Sequence, residues 1–263
     1  MSLVRFDASD NRGPTGQLWH GVVDWVSGMN KMELGQRDFE DFMPFLGWAE
    51  TSPTDGTVTN AGTQITSLTA TPTVDLQTDR FGVINMTEAA GTSESVGLAR
   101  EIFYDLQNAD IVCFECRVDQ NADADSPQVF AGFSDVADPD DVFASDVIAS
   151  GSNQDTIGLR WNADETIDIV AVDDGTLTVL KDDIGVTLER TDAFSRLGLR
   201  IEKITATQYR LTPSVNGAIA LAGRVTVLAT LLPENAMRPV VATTVAATTA
   251  PSLDIDWIAT GDK

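Results

Sequence analysis

The stretch TIGLRWNADETIDIVAVDDGTLTVL, residues 156–180, decides the fold class. Apolar and polar residues alternate over 156–161, 166–172 and 176–180, and period two marks strands with one face on a core. Asn162-Ala163-Asp164-Glu165 separates the first two runs, and Asp173-Asp174-Gly175-Thr176 joins the last two with the Asp-Gly signal of a tight hairpin. A three-stranded antiparallel meander is predicted.

The same pattern extends in both directions, over 111–118, 128–133, 194–204, 208–211, 218–221, 239–245 and 253–259, with Ser214-Val215-Asn216-Gly217 as a further turn. After residue 39 no long helical period is found, and 142–148 is expected to make one or two helical turns. Strands at regular spacing without βαβ alternation predict an all-β protein, an antiparallel β-sandwich over residues 39–263. Residues 1–38 differ: Gly13-Pro14 breaks any regular element, and Trp19, Val22, Val23, Trp25 and Met29 form an apolar group too short for a membrane span and too large to stay in water. This reads as an extended N-terminal arm that docks on its own domain or on a neighbouring subunit.

With 263 residues and 43% hydrophobic content the chain can fill a substantial core. No run of eighteen apolar residues and no signal pattern are read, so a soluble, unprocessed chain without membrane contact is expected. Seventeen Lys and Arg against 40 Asp and Glu give a net charge of −23, which repels phosphate over the whole surface and excludes nucleic acid as a partner. Asp dominates the acids, as suits turns.

Few residues carry chemistry. His20 is the only histidine and lies between Trp19 and Gly21, which leaves the usual nucleophilic and zinc-hydrolase schemes without a base or ligand. No glycine-rich phosphate loop is present. Cys113 and Cys116 fall within one predicted strand on opposite faces, with Cys116 inward beside Val112, Phe114 and Val118, so both are expected to be free and reduced. Asp119, Asn121, Asp123 and Asp125 have the alternate spacing of a calcium loop's first ligands, but Ala124 stands where Gly is needed and Phe130 where Glu would close the shell. A solvated acidic loop is the preferred reading, and no cofactor is expected. Trp48, Trp161 and Trp257 are candidate sugar platforms, although each lies in an apolar alternating segment that favours packing. Asp254 and Asp256 alternate on one strand, read as solvent-facing charges opposite inward Leu253, Ile255 and Trp257.

The order of Phe39-Glu40-Asp41-Phe42, Leu46-Gly47-Trp48, Phe114-Glu115-Cys116-Arg117-Val118, Gly132-Phe133-Ser134, Ile157-Gly158-Leu159-Arg160 and Leu253-Asp254-Ile255-Asp256-Trp257 resembles a group of tailed-bacteriophage virion proteins with a concanavalin A-like, or laminin-G-like, jelly-roll sandwich. The resemblance spans roughly residues 39–260. It implies a non-enzymatic decoration or cement protein, made in the host cytoplasm and placed on the outer capsid surface. There it would clamp the lattice as a homotrimer against the major capsid protein, with Trp19, Val22, Val23, Trp25 and Met29 as contacts. The alternative it implies is an adhesion module on tail, fibre or capsid that binds a host surface glycan. Glycosidases on this sandwich carry a Glu-x-Asp-x-x-Glu strand, and no such run occurs here.

Overall fold

In the 111–120 run, Val112, Phe114, Cys116 and Val118 turn to one side and Cys113, Glu115 and Arg117 to the other. The apolar side has to meet another apolar surface, and a second sheet supplies it. The computed structural model describes residues 39–41, 57–60, 63–67, 73–76, 83–87, 95–100, 103–120, 128–144, 147–148, 154–189, 194–245, 250 and 252–263. The arm at 1–38 lies outside these, as does Trp48.

In chain order the strands begin with β1 (Phe39–Asp41), β2 (Thr57–Asn60), β3 (Thr63–Ser67), β4 (Thr73–Leu76), β5 (Ile84–Thr87), β6 (Ser95–Arg100) and β7 (Tyr104–Asp105). They continue with β8 (Ile111–Gln120), β9 (Gln128–Ser134), β10 (Phe143–Ala144), β11 (Val147–Ile148), β12 (Thr156–Trp161), β13 (Ile167–Asp173) and β14 (Thr176–Lys181). The remainder are β15 (Ser195–Thr205), β16 (Gln208–Val215), β17 (Ala218–Ile219), β18 (Val225–Leu228), β19 (Ala236–Thr244) and β20 (Ser252–Asp262). Helical structure among the described residues is confined to short 3-10 turns such as Pro139–Val142.

The first sheet runs β17-β16-β15-β8-β20-β5-β4, with β1 also on β20 and β18 on β16. The second runs β14-β13-β12-β9-β19-β6-β3-β2, with β7 on β19. All pairings are antiparallel. The chain is therefore an all-β antiparallel sandwich of the concanavalin A-like, jelly-roll type. The β12-β13-β14 meander stands where the alternation put it. Its Asp-Gly turn has positive φ at both Asp174 (47°) and Gly175 (71°), as does the Asn216–Gly217 turn (48° and 83°), the twist-matched hairpin geometry these pairs favour.

Between the sheets, Phe114 and Phe133 meet edge to face at 5.7 Å and Tyr104 meets Phe133 at 5.5 Å. Two polar ties cross the core: Tyr104 Oη donates to Thr260 Oγ1 at 2.7 Å, and Thr243 Oγ1 donates to Gln120 Oε1 at 2.8 Å. Cys113 and Cys116 are both buried, and neither forms a disulfide. Burial pushes the Cys113 thiol up to about 12, and raises Cys116 as well.

Two local expectations are corrected. The 142–148 segment is not helical: a 3-10 turn precedes the β10-β11 hairpin, in which Phe143 pairs with Ile148. In β20 a bulge between Ile255 and Trp257 resets the alternation, so that Ile258, at 4% exposure, continues the inward series of Leu253 and Ile255.

The outward side of the second sheet is also apolar. Ala99, Phe130, Val170, Val172, Val240 and Ala242 form a second buried cluster with Val136, Val142, Phe143 and Ile148 from the 135–148 segment, which caps the sheet. The cap lies directly on Gly97, where a β-carbon would fall 2.5 Å from the Pro139 carbonyl carbon and 2.7 Å from the Asp140 nitrogen. We expect Gly97→Ala to cost about 1–3 kcal/mol by overpacking, read as a lower denaturant midpoint with unchanged m-value. An unchanged midpoint would mean the cap shifts freely.

Candidate interaction surface

The outward face of the first sheet is built from alternate residues of its central strands. On β8 and β15 the register sets Cys113 beside Arg200, Glu115 beside Gly198 and Arg117 beside Arg196. On β16 it adds Thr212 beside Arg200 and Ser214 beside Gly198, and on β20 Gly261, Ala259 and Trp257 stand beside Cys113, Glu115 and Arg117. Charged outward faces of antiparallel sheets are normally solvated. Here Glu115 is 0% exposed, Arg196 7%, Ser214 1% and Ala259 1%.

A buried carboxylate needs a cationic partner, and Arg196 supplies the field at Glu115. Burial lowers the Arg196 pKa, Glu115 opposes that shift, and neighbouring Arg117 adds to it. Arg117 pairs with Asp256 and stacks its guanidinium 4.3 Å from the centre of the Phe194 ring. Arg200 reaches Glu202 at 3.5 Å, and Glu202 lies 3.6 Å from Arg210. Apart from the Arg117–Arg196 neighbours, each cation of the row has a carboxylate beside it, so the row does not act as a block of positive charge.

Two further polar groups sit on the second sheet. Asp168 Oδ2 accepts from Arg160 Nη2 (2.5 Å) and Asn162 Nδ2 (2.9 Å), and its Oδ1 accepts from the Asp183 amide (3.0 Å). Burial pushes the Asp168 pKa up, but these donors outweigh it and the net direction is down. Asp135 and Asp155 are drawn together at the other end of the strands, where Asn235 Nδ2 donates to Oδ2 of both, at 3.1 and 2.7 Å. Burial first, and then the Asp155 charge, raise Asp135. Among the described residues no group of three or more His, Cys, Asp and Glu side chains is placed to hold a metal.

The residues singled out from sequence fare differently. Trp161 is 2% exposed in the main core, its Nε1 donating to the Leu188 carbonyl at 3.0 Å, so it is removed as a sugar platform in favour of the packing its alternation indicated. Trp257 is described by its backbone alone, in β20 opposite Arg117. Asp119 belongs to β8, where it pairs in register with Asp254, rather than to a loop; Asn121, Asp123 and Asp125 lie outside the described residues. So do Trp19, His20, Val22, Val23, Trp25 and Met29. The two alternating carboxylates part company at the bulge: Asp254 Oδ1 accepts from Asn85 Nδ2 at 2.5 Å, and Asp256 holds Arg117. The Glu115, Arg196 and Arg200 row escaped the sequence reading, although its signal was there in the charges at alternate positions of two otherwise apolar strands. Alternation placed them outward; nothing in it announced their burial.

No family model and no curated protein matches the chain. Among solved structures, it is similar to a protein of unknown function from Shewanella oneidensis MR-1, at 14% identity and TM-score 0.50, over 78% of this chain and 81% of that one. It is also similar to the carbohydrate recognition domain of Emp47p, at 11% identity and TM-score 0.49, over 77% and 89% of the two chains. The alginate lyase vAL-1 from Chlorella virus has the same identity and TM-score over 77% and 93%. At these identities the likeness is one of fold.

The two aspartates give opposite pH signs. Asp168 is depressed in the fold, so its contribution is present above the unfolded value near ~3.9 and lost as pH falls through the folded value. Asp168→Asn is expected to cost about 1–3 kcal/mol at pH 7, with the deficit shrinking on acidification. Asp135 is raised, so its contribution is present below the unfolded value and lost as pH rises through the folded one. Asp135→Asn, which keeps an acceptor for the Asp155 amide that Oδ1 now receives at 2.7 Å, should raise Tm at pH 7 and lose that gain toward pH 4. Thermal melts across pH check both, and parallel curves for the two variants would contradict the assignment.

Proposed function

We propose that this chain is a structural protein of a tailed-bacteriophage virion, decorating the outer capsid surface as a homotrimer through contact with the major capsid protein, without catalysis. One observation carries the reading: among the side chains described, which do not include Trp257, no tryptophan or tyrosine is exposed. Trp161, Tyr104 and Tyr209 are at most 2% exposed, and Phe103, at 53%, is the one large aromatic in the exposed class. Sugar platforms need open rings, whereas lattice contacts need shape and buried apolar area. The net charge of −23 suits a protein held outside a DNA-filled shell, and the resemblance of its strand motifs to virion sandwiches points the same way.

In this reading the arm at 1–38 clamps the lattice. Burying Trp19, Val22, Val23 and Trp25 contributes roughly 1.5–3 kcal/mol per large side chain, against about 0–1 kcal/mol for each exposed ion pair. A second reading, glycan binding at the virion surface, is favoured by one juxtaposition: Trp257 stands in register with Arg117 beside Asp256, residue types that stack on and hydrogen-bond to sugars.

The test adds the intact chain, and a variant lacking residues 1–30, to undecorated capsids. Intact protein should bind and raise the temperature at which capsids burst, and the truncated protein should keep its far-ultraviolet β signal but not bind. Equal occupancy would remove the arm as the clamp. If neither form binds and the intact chain binds a glycan array, the second reading replaces the first.

A further inference from the structure

The outward face of the first sheet combines polar chemistry with full burial. Cys113 and Glu115 are 0% exposed, Ser214 and Ala259 1% and Thr212 4%, on a face whose opposite side already carries the core residues Val112, Phe114, Cys116, Leu197 and Leu199. Among the described elements, those packed extensively on β8 are its sheet neighbours β15 and β20 and, across the core, β9. Phe194 lies against Arg117, and the turn at Gly217 lies close to Arg196, both at the margin of the row. The middle of the face, at Glu115 and Cys113, needs a cover of another kind.

The chain itself leads there. β1 is antiparallel to β20 with Phe39 opposite Ala259, and Ala259 is in turn opposite Glu115 on β8. With neighbouring strands about 4.8 Å apart, the residues preceding Phe39 enter within about two strand widths of Glu115. Those 38 residues carry Trp19, Val22, Val23, Trp25 and Met29, and their charges nearly balance, with Arg5, Arg12, Lys31 and Arg37 against Asp7, Asp10, Asp24, Glu33 and Asp38, so what they bring to a face of Cys113, Ala259 and Thr212 is apolar bulk.

We propose that the outward face of the first sheet around Glu115 and Cys113 is the seat of this chain's own residues 1–38, occupied in cis by the free protein. Coupled to the decoration reading, on which this clause alone rests, the arm must leave that seat before it can clamp a neighbour, so the seat sets the cost of attachment.

Both cysteines are buried, and Cys113 is the reporter because it lies on the outward face opposite Arg200, whereas Cys116 lies on the inward face opposite Leu197. In the full-length chain carrying Cys116→Ala, maleimide labelling of Cys113 should be slow, and equally slow over about a hundredfold dilution, since a cis contact has no concentration dependence. In the same background Trp19→Asp with Trp25→Asp should speed labelling about tenfold or more by freeing the seat, with the far-ultraviolet β signal retained; Val22→Ala with Val23→Ala is the gentler pair should the first misfold. Unchanged labelling in the folded variants overturns the proposal. Protection that disappears on dilution also overturns it, and assigns the cover to a second copy. Capsids play no part in this measurement, so failure of the decoration reading would leave the result untouched.

Discussion

Where the backbone of Pro139 crosses the second sheet it comes down on Gly97, and only a residue without a β-carbon admits it there. Because that contact is so close, Val136, Val142, Phe143 and Ile148 reach Phe130, Val170 and Val240 and bury an outward sheet face that would otherwise be solvated. Arg238 ties the cap from below, its Nη2 donating to the carbonyls of Val136, at 2.7 Å, and Ala137, and Ser95 Oγ donates to the Asp140 carbonyl at 3.4 Å. The same economy of space recurs in the strands beneath, where Gly132 and Gly158 face each other across β9 and β12 and the Phe130 ring occupies the room a Gly158 side chain would take. Packing on the outward side of the second sheet thus depends on a few positions with no side chain at all.

The first sheet solves the corresponding problem with charge. Its outward row interleaves Arg with Glu and Asp, and Glu115 counters part of the burial that lowers the Arg196 pKa. That balance bears on function. A row already neutralised from within has little left over to recognise a charged ligand, which is one reason to look for this protein's work in contacts between macromolecules. A sandwich does not by itself fix a task, which has to be argued from the surface.

Much of the architecture was legible in sequence, and the reasons are particular. Strands β8, β12, β13, β14 and β15 are long or half-apolar enough for period two to stand out, and the Asp-Gly and Asn-Gly pairs name their turns by chemistry. The early strands β2 to β6 passed unnoticed because Thr-rich segments such as Thr57–Asn60 and Thr73–Leu76 carry no alternation strong enough to separate them from loop. The 142–148 segment misled because a short apolar run fits a helical turn as well as a hairpin. The bulge in β20 was missed because a bulge leaves no mark on composition. The polar row was visible as residues and invisible as a buried surface, since burial of an outward face depends on what another part of the chain does.

β20 lies in the middle of the first sheet, hydrogen-bonded along one edge to β8 and along the other to β5 and β1, and just beyond it the Lys263 backbone pairs with Ile111. Residues 252–262 are therefore the link between strands made far earlier in synthesis. Until they leave the ribosome, β8 with β15 and β16 on one side and β4 with β5 on the other are two fragments with unpaired edges, the state in which sheet proteins are most exposed to wrong partners. A chain so wired cannot assemble piecemeal from its beginning: the first sheet closes late, through pairings of long sequence separation, and slow folding is the kinetic signature that such a topology carries.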